Sequence, residues 1–192
     1  MSGAPWVSHQ AGAEMPVWTV LANFALYQLA WLACVWGAAA GRSGIGVAVA
    51  LGVVAVRLRG AGRLGAELRL ILLTGLIGGA WESLLTGLDW VRYQDSWATG
   101  WPPLWIIALW LAFATTFNVS LRWLRNRAGL AALLGLVGGP LAWWAGERLG
   151  ALDLVAPGFS LCVIGLGWAA LMPILLALAA RYDTAPPAQT GG

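Results

Sequence analysis

Glu82 is the residue of this sequence with the clearest capacity for chemistry, because it is an acid within a long apolar run. It lies about 20 Å along a helix that the pattern predicts to begin near Leu68, at a rise of 1.5 Å per residue. An acid at such a depth in a membrane must face protein or water, because exposure to lipid costs a few kcal/mol. The four-residue spacing of Thr74, Gly78, Glu82 and Thr86 predicts one polar face that points inward. We therefore take Glu82 as the first candidate site residue, with a neutral acid that serves helix packing as the alternative.

A second set of chemically capable side chains is predicted at one end of the same helix and of a later helix. If those two helices adjoin, Glu82 with Asp89 or Glu147 would form an acid–base pair, and these three residues are the catalytic candidates. Arginine beside tryptophan would hold a phosphate-bearing headgroup. The candidate ligand-binding residues are Glu82, Ser83, Arg92, Trp105, Trp143, Trp144 and Arg148. An ordinary interfacial belt with exposed ion pairs explains the same residues.

A third polar set lies towards the opposite end of the predicted helices and favours helix packing. Its members are Asn23, Gln28, Thr115, Asn118 and Ser120. Asn23 and Asn118 are at similar predicted depths, so we expect a hydrogen bond between their helices. Such a bond stabilises a membrane bundle by about 0.6 kcal/mol on average.

The remaining inventory argues against several classes of site. The single histidine, His9, precedes the first apolar run, and the two cysteines have no paired spacing, so we expect no metal site. No phosphate-binding loop, dinucleotide-binding turn or hydrolase motif occurs, so we expect no cofactor. The formal charge of +3 comes from arginines that cluster at predicted membrane edges. This placement favours anionic lipid over nucleic acid as the partner.

The elements that position these residues are predicted from composition. The chain has 192 residues, 60% apolar and 10% charged, whereas soluble domains are about 45–50% apolar and about 25% charged. The surplus predicts an all-α, polytopic transmembrane helix bundle of about six spans between two flexible tails, residues 1–16 and 182–192. The bundle domain covers residues 17–181, with spans at about 17–39, 43–57, 68–91, 103–121, 128–149 and 159–181. The second run is short for a crossing.

Arginine positions predict the orientation, since basic loops stay in the cytoplasm. The eleven basic residues are all arginine. Eight fall on one predicted side, namely Arg57, Arg59, Arg63, Arg69, Arg122, Arg125, Arg127 and Arg181. Only Arg42, Arg92 and Arg148 fall on the other. We therefore expect a bacterial inner-membrane protein with both termini in the cytoplasm.

Three motifs resemble a known family. They are Asn23-Phe24-x-x-x-Gln28-x-x-Trp31, the string from Leu104-Trp105 through Trp110-Leu111-Ala112-Phe113-Ala114-Thr115-Thr116-Phe117-Asn118-x-Ser120-Leu121, and Gly138-Gly139-Pro140-Leu141. Together they are similar to the bacterial domain-of-unknown-function family 2878, over about residues 21–178. The resemblance implies a small multi-pass inner-membrane protein with no established activity, and it transfers no catalytic residues.

Three functional hypotheses follow. The leading one is a non-enzymatic membrane protein that binds a lipid or a membrane-protein partner near Glu82 and the tryptophan–arginine rim. The second is a lipid-modifying enzyme that uses Glu82 with Asp89 or Glu147. The third is a carrier of a small solute or of protons, in which Glu82 titrates along the path.

Overall fold

Six α-helices make up most of the computed structural model, which describes residues 15–96, 98 and 101–183. His9 and almost all of both predicted tails lie outside the described residues. The elements in chain order are α1 (Val17–Ala39), α2 (Ser43–Arg59), α3 (Leu64–Gly87), β1 (Val91–Tyr93), α4 (Leu104–Phe117), α5 (Ala128–Arg148), β2 (Leu152–Leu154) and α6 (Pro157–Arg181). A single 3-10 turn, Arg122–Leu124, joins α4 to α5. The predicted all-α class is confirmed.

The helices differ in their capacity to cross a membrane. Helices α1, α3, α5 and α6 are long and apolar enough to span one. Helix α2 has 17 residues and α4 has 14. At 1.5 Å per residue α4 is about 21 Å long, which is shorter than the roughly 30 Å hydrocarbon core. Helix α4 packs against α1, α2 and α3, and most of its residues are buried, so it forms the centre of the bundle.

One end of the bundle, called here the strand end, is closed by two short strands. Strands β1 and β2 pair antiparallel, with Val91 opposite Leu154 and Tyr93 opposite Leu152. The pairing joins the α3–α4 connection to the α5–α6 connection. The sequence prediction contained no strands.

The opposite end, called here the arginine-rich end, is tied together by ion pairs. Arg57 at the end of α2 makes two hydrogen bonds of 2.8 Å to the carboxylate of Glu67 in the first turn of α3. Arg122 and Arg125 donate to Asp183 at 2.9 and 3.1 Å. Burial lowers the pKa of the Arg125 guanidinium, against the opposing effect of Asp183. Arg125 also interacts electrostatically with Glu67. The α2–α3 connection, the α4–α5 connection and the end of α6 therefore lie at the same end of the bundle.

The α1–α2 contact depends on Gly46, and we expect Gly46→Ala to destabilise the bundle. A Cβ atom at Gly46 would lie 2.4 Å from the Cα atom of Cys34, which is backbone and cannot rotate away. Overpacking of this kind costs about 1–3 kcal/mol, so the melting temperature in detergent should fall. Gly44→Ala is the matched control, because nothing lies within 4 Å of a Cβ there. Equal melting temperatures for the two variants would contradict this interpretation of the contact.

Candidate functional site

Glu82 lies on the inward face of α3 and is fully buried. Thr74 and Gly78, eight and four residues earlier, are also buried, as the spacing predicts. Because α3 ends at Gly87, Glu82 is about 8 Å from the strand end of its helix. The carboxylate is therefore held inside the bundle, close to the paired strands.

The Glu82 carboxylate accepts hydrogen bonds from two aromatic side chains. The indole Nε1 of Trp110, on α4, donates to Oε1 at 2.8 Å, and the hydroxyl of Tyr93, on β1, donates to Oε2. The Tyr93 hydroxyl in turn accepts a hydrogen bond of 2.9 Å from Nε1 of Trp143, on α5. These four residues, called here the Glu82 network, link α3, β1, α4 and α5. Buried polar atoms need such partners, because an unpaired buried donor or acceptor costs free energy.

Strand β1 places Tyr93 in this network. Along the strand Val91 and Tyr93 are buried and Arg92 is exposed, which is the alternation of a half-buried strand. Burial raises the pKa of the Tyr93 phenol well above its ordinary value, with a further contribution from Glu82, so Tyr93 remains a neutral donor. Sequence reasoning missed Tyr93. The alternating triplets 91–93 and 152–154 were the signal that could have found it.

Two tryptophans of the Glu82 network belong to an aromatic cluster. Trp110 stacks on Trp168 of α6, with ring centroids 5.0 Å apart and planes inclined by 17°. Trp143 contacts the same ring at 5.7 Å, and Phe113 contacts it at 5.5 Å. The hydrogen bonds of the network therefore fix the orientation of two of the rings that surround Trp168.

The rings of this aromatic cluster also line a cavity of about 480 Å³. It is lined mainly by α1, α4 and α5, and the lining also includes Trp168 and Met172 of α6, Leu121 and Leu124 of the α4–α5 connection, and Leu152 of β2. Its aromatic lining residues are Phe24, Tyr27, Trp31, Trp105, Trp110, Phe113, Trp143 and Trp168. On α5 the lining includes four glycines, Gly135, Gly138, Gly139 and Gly146. Only Gly138 faces open space, because a Cβ at each of the other three would lie within 3.1 Å of Trp168 or Leu152.

The cavity is long, and its rim is open to the surroundings of the bundle. It follows α1 from Phe24 to Val35, which is about 17 Å at 1.5 Å per residue. Phe24 and Gln28 on α1 and Leu134 and Leu141 on α5 line the cavity and are exposed. A ligand therefore has access from the side, between α1 and α5.

Comparison with known proteins assigns the family. Residues 20–174 match the family described as Protein of unknown function (DUF2878). The chain belongs to this family. The predicted resemblance is confirmed, and the match covers most of the chain. No curated protein and no solved structure matches it.

The catalytic candidates are not brought together in this DUF2878 protein. Asp89 pairs with Arg92 at the surface, with contacts of 2.7 and 2.6 Å, and these hydrogen bonds lower the pKa of Asp89. Glu147 accepts a hydrogen bond of 3.2 Å from the backbone N–H of Leu154. Within the described residues, neither acid contacts Glu82, and no group of three or more histidine, cysteine or acidic residues could hold a metal ion. The geometry therefore brings neither Asp89 nor Glu147 to Glu82, whose hydrogen-bond partners are Tyr93 and Trp110.

The ligand-binding candidates divide between the cavity and the surface of the DUF2878 bundle. Trp105 and Trp143 line the cavity. Ser83 donates at 2.7 Å to the carbonyl of Gly79 in its own helix. The Arg148 guanidinium lies 5.5 Å from the ring centroid of Trp144, at the surface. The tryptophans and arginines predicted to form one rim therefore lie in two places. Trp105 and Trp143 lie in the cavity, whereas Trp144 and Arg148 lie at the surface.

The polar packing candidates occupy two different environments. The side-chain oxygen of Asn23 accepts a hydrogen bond of 2.8 Å from the Ser120 hydroxyl, and its nitrogen donates to the carbonyl of Thr115 at 3.3 Å. Asn118 donates to the carbonyl of Tyr182 at 3.1 Å. We had expected a hydrogen bond between the helices of Asn23 and Asn118. Asn23 does link α1 to α4, but its partners are Thr115 and Ser120, and Asn118 is not one of them. Gln28 instead lies at the cavity rim.

Proposed function

We propose that this protein is a multi-pass protein of the bacterial inner membrane that binds one lipid through an apolar chain in the cavity. The observation that carries the proposal is the cavity itself, with its volume of about 480 Å³ and its apolar and aromatic walls. Ligand sites typically have volumes of about 300–1,000 Å³ and walls of this composition. The four membrane-compatible helices supply the membrane setting.

The shape of the cavity favours an extended chain over a compact solute. Its length along α1 of about 17 Å is close to the roughly 15 Å half-thickness of a bilayer's hydrocarbon core. It runs parallel to the helices, as acyl chains do in a bilayer. The exposed rim residues Phe24 and Leu141 give a chain entry from the bilayer without passage through water.

Glu82 has a positioning role in this proposal. It is not among the lining residues of the cavity within the described part of the chain. It holds Trp110 directly and Trp143 through Tyr93, and both indoles face the ligand space. Lipid binding therefore gives the buried acid a role that needs neither Asp89 nor Glu147.

The orientation is part of the proposal, with the arginine-rich end in the cytoplasm. Because basic connections resist translocation, both termini should be cytoplasmic. We expect a green fluorescent protein fused after Arg181 to fluoresce in cells and an alkaline phosphatase fused there to be inactive. The same phosphatase inserted at Asp95, at the strand end, is the control and should be active. The reverse pattern would overturn this orientation.

Native mass spectrometry of the protein purified in a mild detergent tests lipid binding. We expect a population that carries one lipid after the surrounding lipids have been removed, because a lipid within the cavity exchanges more slowly than lipids on the outer surface. Extraction and identification of this lipid would give its class. Only lipid-free protein, under conditions that preserve the fold, would contradict the proposal.

A further inference from the structure

Gln28 and the indole N–H of Trp168, which is buried without a hydrogen-bond partner among the described residues, are polar groups in the lining that the apolar character of the cavity does not explain. Gln28 is the central residue of α1, about 17 Å from each end of the helix, which is the bilayer midplane in the proposed membrane setting. Its side chain is exposed and lines the cavity. Within the described part of the chain, its amide makes no hydrogen bond. An unpaired amide surrounded by hydrocarbon is costly, so its position calls for a partner.

The preceding residue, Tyr27, brings a second polar side chain to the lining. Its ring packs against Phe113 with centroids 5.3 Å apart. Among the hydrogen bonds of the described residues, none involves the Tyr27 hydroxyl. An amide and a phenol can each donate and accept, and both are neutral. Both therefore add neutral polar groups to the lining of an apolar cavity.

Polar groups in the lining can provide selectivity between lipid chains, which apolar walls cannot. The tails of ordinary lipids are as apolar as the cavity, so no hydrophobic force selects one chain from the bilayer. A hydrogen bond is stronger in surroundings of low dielectric constant, and an ordinary hydrocarbon chain offers no partner for it. Specificity at this depth therefore needs a polar atom on the ligand.

We propose that Gln28, with Tyr27, hydrogen-bonds an oxygen atom within the chain of the bound lipid. The ligand is then an oxygenated fatty-acyl lipid, with a hydroxyl, keto or ether oxygen away from its headgroup. The oxygen is uncharged, because no acidic or basic side chain lines the cavity among the described residues. This inference rests on the proposed lipid binding and adds the chemical class of the chain.

The test compares two probes, stearic acid and a stearic acid with one mid-chain hydroxyl group. Delipidated full-length protein in detergent is titrated with each, and the dissociation constants are measured by calorimetry. Because the carboxyl end is common to both, the ratio reports the hydroxyl alone. We expect the hydroxylated acid to bind about tenfold more tightly, which corresponds to about 1.4 kcal/mol.

The variant Gln28→Leu should bring this ratio close to one, because leucine offers the hydroxyl group no hydrogen-bond partner. Leucine suits a membrane helix, so the variant should fold. Thr19→Val is the matched control, because it removes a polar group from α1 outside the cavity, and it should keep the preference. A preference that survives Gln28→Leu would overturn the assignment of Gln28. Equal affinities in the wild type would overturn this inference alone, whereas no binding of either acid would also count against the proposed lipid binding.

Discussion

Glu82→Leu is expected to reduce the free energy of unfolding by at least about 2 kcal/mol. The substitution leaves the Trp110 indole N–H and the Tyr93 hydroxyl without their acceptor inside the bundle. Each stranded buried donor costs about 1–3 kcal/mol. The measurement is denaturant unfolding in detergent micelles, followed by tryptophan fluorescence. Because Tyr93 also connects to Trp143, the near-UV circular dichroism of the aromatic cluster should weaken as well.

Glu82→Gln is the matched control for this loss. Its amide oxygen can accept from Trp110, and its amide nitrogen can donate to the Tyr93 oxygen, so only the Tyr93 O–H proton loses its acceptor. We expect a clearly smaller decrease in stability than for Glu82→Leu. A leucine variant as stable as the wild type would show that the network does not hold the bundle together. Equal losses for the two variants would show that the carboxyl group itself is needed, rather than its hydrogen bonds.

Gly138→Leu is expected to lower the fraction of protein that carries a lipid by at least about tenfold. Nothing lies within 4 Å of a Cβ at this position, and Gly138 lines the cavity, so the new side chain fills ligand space without a clash. A tenfold loss corresponds to only about 1.4 kcal/mol, which displacement of part of the chain readily supplies. The melting temperature of lipid-free protein should not fall, since leucine favours a helix more than glycine does. Native mass spectrometry measures the fraction, and thermal unfolding measures the stability.

Gly52→Leu is the control that distinguishes loss of lipid by filling of the cavity from a general effect of an added leucine on lipid binding. Gly52 is on α2, also has open space where a Cβ would lie, and does not line the cavity. It should retain the wild-type fraction of bound lipid. If both variants lose lipid equally, or neither loses any, the bound lipid does not occupy the cavity.

The sequence predicted the parts of this structure that depend on residue type and helical period. The all-α bundle followed from its apolar runs, and the inward face of α3 followed from a polar or small residue at every fourth position. The burial of Glu82 agrees with that prediction. The hydrogen-bond partners of Glu82 could not be predicted from the sequence, because Tyr93 is 11 residues away on a three-residue strand and Trp110 is on another helix.

The cavity was beyond the reach of sequence reasoning because it depends on how helices distant in sequence pack. Gly138 and Gly139 are adjacent and identical in type, yet a Cβ at Gly139 would lie 2.6 Å from the Trp168 ring, whereas Gly138 faces open space. Gln28 was grouped with residues expected to bond between helices. Its position at the cavity rim depends on which face of α1 lies opposite α5, and neighbouring residues do not reveal this.

Photocrosslinking from inside the cavity tests the central claim, that one lipid occupies it selectively. A benzophenone amino acid replaces Trp31, which lines the cavity, or Trp36, which is on the same helix, exposed and outside the cavity. After irradiation in cells, the lipids attached to the purified protein are identified by mass spectrometry. The account predicts one dominant lipid species at position 31 and a mixture that follows the bulk membrane at position 36. The same bulk mixture at both positions would contradict it.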